Sequence, residues 1–153
     1  MELPDQSEFF KTIIYLFVTY YKIILYGLGV TILLSVVGTV GGFVLALGLT
    51  QQRVIHIDKK RDTKFVRIFK QVFKTLGDWY VTLLRGTPMI VQAMIIYYGI
   101  ATLDIFPWWS PLPAGLIIVT LNTTAYISEV LRGGLQAVPI GQMEASRSLG
   151  LTY

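Results

Sequence analysis

At 153 residues the chain has the length of one soluble domain, yet 54% hydrophobic content against 14% charged residues excludes an ordinary soluble surface. Zero cysteines exclude a disulfide framework and any thiolate site, and the single histidine, His56, excludes a multi-histidine metal centre. The composition is that of an all-α integral membrane protein. Thirteen Lys and Arg against nine Asp and Glu give a net charge of +4, and eight of those thirteen lie between Arg53 and Lys74.

The N-terminus carries Glu2, Asp5 and Glu8 against Lys11, with no basic n-region and no small-residue cleavage site, so no cleaved signal peptide is expected. From Ile24 to Leu49 the chain runs 26 residues without a charge. As a helix this reaches about 39 Å, more than the ~30 Å hydrocarbon core, and predicts a first span over 24–49. Gly38, Gly42 and Ala46 recur every four residues on one face of it, a stripe that lets another helix approach closely, within this chain or from another.

Residues 50–85 form a basic loop that carries its own amphipathic helix. Phe65, Ile68, Phe69, Val72, Phe73 and Leu76 repeat at helical spacing, while Lys64, Arg67, Gln71 and Lys74 repeat on another face. Such a helix suits either the lipid headgroup boundary or a plain lead-in to the next span, and its regular apolar face argues against nucleic acid. The second uncharged stretch runs from Gly86 to Leu103, with Thr87 as N-cap and Pro88 as first helical residue of a span over 88–103. Within it, Gln92 and the pair Tyr97-Tyr98 read as packing or interfacial residues. The third runs from Ile105 to Ser128. Its front, Phe106 to Pro113, reads as an aromatic interfacial turn, which sets the third span at 113–132.

Lys and Arg are retained on the cytoplasmic side, so the basic loop lies inside, the N-terminus outside, and the C-terminal segment with Arg132 and Arg147 inside. Polar residues within a bilayer are costly and face a partner or a cavity. Asn122, Tyr126 and Glu129 share one face of the third span, Asn122 near mid-membrane and Glu129 near the inner interface. Two readings fit them: a polar stripe along a translocation route, or interhelical hydrogen bonding with a snorkelling or salt-bridged Glu129. No Gly-rich phosphate loop, carboxylate pair or Ser/His/Asp set accompanies them, so no catalytic residue and no metal site is assigned.

Beyond the third span, Gly133-Gly134 is expected to break the helix, and Pro139 and Gly141 to turn the chain. A short helix then runs to Gly150, with Glu144 in its first turn and Gly150 as the C′ residue at positive φ. Glu144-Ala145-Ser146, three residues, then Gly150 resembles the EAA loop of the membrane subunits of bacterial ABC importers, with Ser146 in place of the second Ala. Leu83-Leu84-Arg85-Gly86-Thr87-Pro88-Met89-Ile90-Val91-Gln92 and Ala125 to Gln142 resemble, more narrowly, the permeases for polar amino acids of the His/Glu/Gln/Arg type. The resemblance covers roughly residues 24 to 153.

What that resemblance implies is a five-span permease subunit in the bacterial cytoplasmic membrane. It pairs with a second, identical or homologous, permease subunit and receives its amino acid from an extracellular binding protein. ATP and Mg are bound by a partner ATPase subunit, and no cofactor belongs to this chain. Carried over, Gly141, Glu144, Ala145, Ser146 and Gly150 form the coupling helix that seats on that ATPase, within the EAA loop 133–153. Two departures accompany the resemblance. The chain ends at Tyr153, inside the EAA loop and after three of the five expected spans, and the loop from Thr50 to Arg85 is long and basic. Residues 1–153 therefore read as one incomplete permease domain, with a truncated, non-transporting interaction protein or one part of a split permease as the alternative.

Overall fold

The computed structural model describes residues 9–55, 57 and 62–151. Five helices and no strand occur among them: α1 (Phe9–Val54), α2 (Lys64–Gly86), α3 (Met89–Ala101), α4 (Pro111–Gln136) and α5 (Ile140–Ser148). The chain divides into two compact units, residues 1–36 and 37–153. The first contributes the N-terminal part of α1, whose side chains, Phe10, Phe17 and Tyr26 among them, are exposed. The second holds the rest of α1 and the other four helices. Glu2, Asp5, Glu8, His56, Lys59, Lys60 and Arg61 lie outside the described residues.

Several helix bounds differ from those expected, each for a local reason. The first helix starts at Phe9 rather than Ile24, because Lys11 and Lys22 end the uncharged run without disfavouring helix. Helix four runs on to Gln136 through Gly133 and Gly134 instead of breaking there. Two glycines cost about 1 kcal/mol each against alanine, and the ladder they interrupt is completed by Ala137 N–H donating to Gly133 O at 3.0 Å. In the stretch 50–85 the amphipathic helix expected around 64–76 is present as the first part of α2, while residues 50–54, expected as loop, continue α1.

At the second uncharged stretch Pro88, not Thr87, is the N-cap residue, and Thr87 instead ends α2 in an extended conformation, φ −122° and ψ 146°. The residue before a proline is pushed out of the helical region, and Pro88 has no N–H to continue the ladder. The consequence is a bend of 108° between α2 and α3. With 13 residues α3 rises only about 20 Å and cannot cross the bilayer alone. Two helices, α1 and α4, are long and apolar enough to span, or three spans result if the bent α2–α3 pair counts as one.

Packing in the second unit runs along α4. Gly38, Gly42, Ala46, Thr50 and Arg53 form the buried line of α1. A Cβ on Gly38 would collide with Val119 Cγ1, and one on Gly42 would stand 2.7 Å from Thr123 Cβ and 3.2 Å from the Thr120 carbonyl oxygen. The stripe therefore serves an approach to α4 within this chain. Val81, Leu84 and Ala125 make the small core between α2 and α4, and the Tyr80 hydroxyl donates to Leu121 O at 2.7 Å.

Candidate functional site

Two polar clusters and one exposed helix carry the chemistry of the second unit. The first cluster sits at the α2–α3 break. Where the helix ends, carbonyls lose their partners, and in an apolar surrounding they must find others. Gln92, one turn into α3 and 8% exposed, supplies them: its Nε2 donates to Leu84 O at 2.8 Å, to Thr87 O at 3.0 Å and to Thr87 Oγ1 at 2.8 Å. Its Oε1 accepts from Asn122 Nδ2 at 3.1 Å, which ties the break to α4. Asn122 thus makes an interhelical bond.

This geometry sets an order of effects. Gln92→Leu fills the same space and leaves the freed carbonyls and the Asn122 amide without partners, a loss of about 1–3 kcal/mol for each buried group. Asn122→Ala removes one interhelical bond, about 0.6 kcal/mol on average in membranes. Thermal unfolding of the two variants in detergent should rank Gln92→Leu well below Asn122→Ala. Equal midpoints would contradict the stapling role of Gln92.

The second cluster joins the C-terminal end of α1 to α2 and to the last third of α4. Arg53 is 7% exposed and crosses from α1 to both neighbours. Its Nε donates to Asp78 Oδ1 at 2.7 Å, and its Nη1 donates to Glu129 Oε2 at 2.9 Å and Ser128 Oγ at 3.2 Å. Gly77 gives the arginine stem its path, since a Cβ there would stand 3.0 Å from Arg53 Cγ. Glu129 also accepts from Arg132, through Nε at 3.2 Å and through Nη2, and lies 3.8 Å from Arg85 Nη1. Glu129 is therefore salt-bridged to three arginines. Arg85 in turn stands over the ring of Tyr126, 5.5 Å from its centroid, while the tyrosine remains half-exposed. Arg53, Lys74, Asp78, Arg132 and Gln136 line a polar cavity of about 380 Å³ beside these pairs.

Asn122, Tyr126 and Glu129 thus share a face of α4 but take different partners. Sequence reasoning missed Arg53, Asp78 and Arg85 as members of the cluster and gave Gln92 too little weight. One signal was available. Arg53 continues the line of Gly38, Gly42, Ala46 and Thr50, which marks it as facing the packed side of α1.

Helix α5 buries no residue. Glu144 is its fifth residue, so it lies in the second turn and not the first, where the sequence reading put it. Gly150 has φ +77°. Leu151 N–H donates to Ser146 O at 3.1 Å and Gly150 N–H to Arg147 O at 3.0 Å, the paired bonds of a Schellman ending. A Cβ at Gly141 would meet nothing within 4 Å, so no described residue requires a glycine there.

The two or three candidate spans and the short exposed helix following α4 make an all-α membrane fold. Residues 63–153 match the family described as binding-protein-dependent transport system inner membrane component. The chain is 32% identical over 133 residues to the arginine transport system permease protein ArtQ of Bacillus subtilis, covering 85% of this chain and 53% of that protein. It is 34% identical over 127 residues to the probable glutamine ABC transporter permease protein GlnM of the same species, covering 80% and 50%. A crystal structure of an amino acid ABC transporter with histidines superposes with a TM-score of 0.72 at 29% identity, covering 89% of this chain and 56% of that chain. The chain belongs to the binding-protein-dependent transport system inner membrane component family and spans about half the length of the curated relatives it matches.

Proposed function

We propose that the chain acts as a membrane subunit of an ATP-driven importer of polar amino acids in the bacterial cytoplasmic membrane, with its N-terminus outside and the end of α5 in the cytoplasm. The observation that carries this is α5: a nine-residue helix with no buried residue, closed by a glycine-specific ending, in a chain of this family. A helix so short is marginal in water, and docking gives it a reason to persist. On this reading Gly141, Glu144, Ala145, Ser146 and Gly150 meet a partner ATPase subunit, which binds ATP and Mg and performs the hydrolysis. The open space at Gly141 and the exposed Glu144 carboxylate are left for that partner. A second permease subunit completes the route, and an external binding protein delivers the amino acid. The solute passes along the α4 face of Asn122, Tyr126 and Glu129, a role supported by the half-exposed tyrosine between two polar clusters.

The test is Gly150→Val, whose positive φ costs a β-branched residue roughly 1–2 kcal/mol or more. Together with Glu144→Lys it should reduce co-purification of the ATPase subunit and substrate-stimulated ATP hydrolysis about tenfold, while membrane insertion stays complete. Undiminished binding and stimulation in both variants would remove the coupling role of α5.

A further inference from the structure

The circumference of α2 divides into three sectors, and two of them are accounted for. Gly77, Val81 and Leu84 are buried within the second unit. Lys64, Arg67 and Lys74 lie in the sector about 180–260° round from Phe65 at 100° per residue, and none of them makes an ion pair with another described residue. Phe65, Phe69, Val72, Leu76, Trp79 and Leu83 fall within about 40° of a single line down the helix. These six are between 51% and 80% exposed, with Trp79 and Phe65 the most open, and Phe73, at 47%, stands beside the line. Water does not account for such a face on a helix whose other two sectors are already packed or charged.

The bend supplies the orientation. The α2–α3 bend of 108° means that the two helices cannot both run along the membrane normal, and both pack on α4. With the uncharged α3 upright as the membrane-crossing part of the pair, the charged and amphipathic α2 is left near the membrane plane. We propose that α2 lies flat in the cytoplasmic leaflet, its aromatic and aliphatic line sunk among the acyl chains and Lys64, Arg67 and Lys74 held on the phosphates of anionic headgroups. The basic cluster fixes the leaflet, since positive charge is retained on the cytoplasmic side. Amphipathic helices with one large apolar face and flanking cations take this position, and their binding rises with anionic lipid. The occupant is the bilayer itself. The inference stands on the geometry of α2 and is independent of the importer reading.

The absence of cysteine from this chain makes a depth measurement direct. Spin labels are placed by Phe69→Cys, Leu76→Cys, Leu83→Cys and Arg67→Cys in this 153-residue chain, reconstituted in vesicles of phosphatidylcholine and phosphatidylglycerol. Oxygen should reach the first three at one common depth, and a water-soluble nickel complex should reach the fourth. Depth rising steadily from Phe69 to Leu83, about 21 Å along a helix axis, would mean that α2 spans. Exclusion of both reagents would mean that protein covers the face. Either result overturns the proposal. Headgroup binding is read separately, by quenching of Trp79 in a Trp108→Phe, Trp109→Phe background. Brominated phosphatidylglycerol should compete at least fivefold better than brominated phosphatidylcholine, and Lys64→Gln, Arg67→Gln and Lys74→Gln together should abolish the preference. No preference, or one that survives the triple change, would refute the headgroup contact.

Discussion

Arg53→Ala should be among the most destabilising single changes in the chain. It removes the cation shared by Asp78 and Glu129 and the donor to Ser128, from a position only 7% exposed. Removing one partner of a buried ion pair typically costs about 3–5 kcal/mol, because the other charge stays behind uncompensated. Here Glu129 keeps Arg132, which places the expected loss toward the lower end of that range. Asp78→Asn should cost far less, on the order of 1 kcal/mol or below, since the Asp78 side chain is 46% exposed and water can replace the arginine. Glu129→Gln should rank with Arg53→Ala, leaving Arg53, Arg85 and Arg132 close together without their shared anion. The check is thermal unfolding of the purified chain in detergent for all three variants. An Arg53→Ala midpoint indistinguishable from Asp78→Asn would show that the arginine is effectively solvated.

Gly42→Leu should disrupt the α1–α4 contact, and even Gly42→Ala should cost about 1–3 kcal/mol by overpacking. The first added atom would already stand 2.7 Å from Thr123 Cβ, and the Thr120 backbone oxygen at 3.2 Å cannot swing aside as a side chain can. Gly48, on the same helix, is the control. A Cβ there meets nothing within 4 Å, so Gly48→Ala should be neutral or stabilise by up to about 1 kcal/mol through helix propensity. Opposite signs at the two glycines, read from unfolding midpoints with insertion verified separately, would establish close approach as the reason for Gly42. Equal effects would reduce the stripe to propensity.

The helical order of the chain was legible because long uncharged runs and the 3.6-residue pattern of α2 are local signals. Helix ends were less so. The sequence reading treated Gly133-Gly134 as a stop, although the cost of two glycines is small beside a ladder that is completed at Ala137. It also placed Thr87 on the wrong side of the α2–α3 break, since Thr87 suits either position and only Pro88 decides. The polar residues Asn122 and Glu129 were conspicuous within an apolar run. Their partners were not, because Gln92 is 30 residues from Asn122 and Arg53 is 76 from Glu129, separations that no periodicity can register. A lone arginine at the end of a span reads as a cytoplasmic charge, and burial changes its meaning.

The two carboxylates that hold Arg53 are reached at very different points along the chain, 25 residues later for Asp78 and 76 later for Glu129. At about 5–20 residues per second, a ribosome supplies the first within roughly 1–5 s and the second only after roughly 4–15 s. The nearer and more exposed carboxylate is therefore available as an interim counter-ion while α4 is still being made. Arrival of Glu129 with Ser128 then gives the guanidinium a second carboxylate and a hydroxyl, while Asp78 stays open to water. Biogenesis thus has an order written into it: α1 and α2 can associate first through a reversible contact, and α4 is the element that locks them.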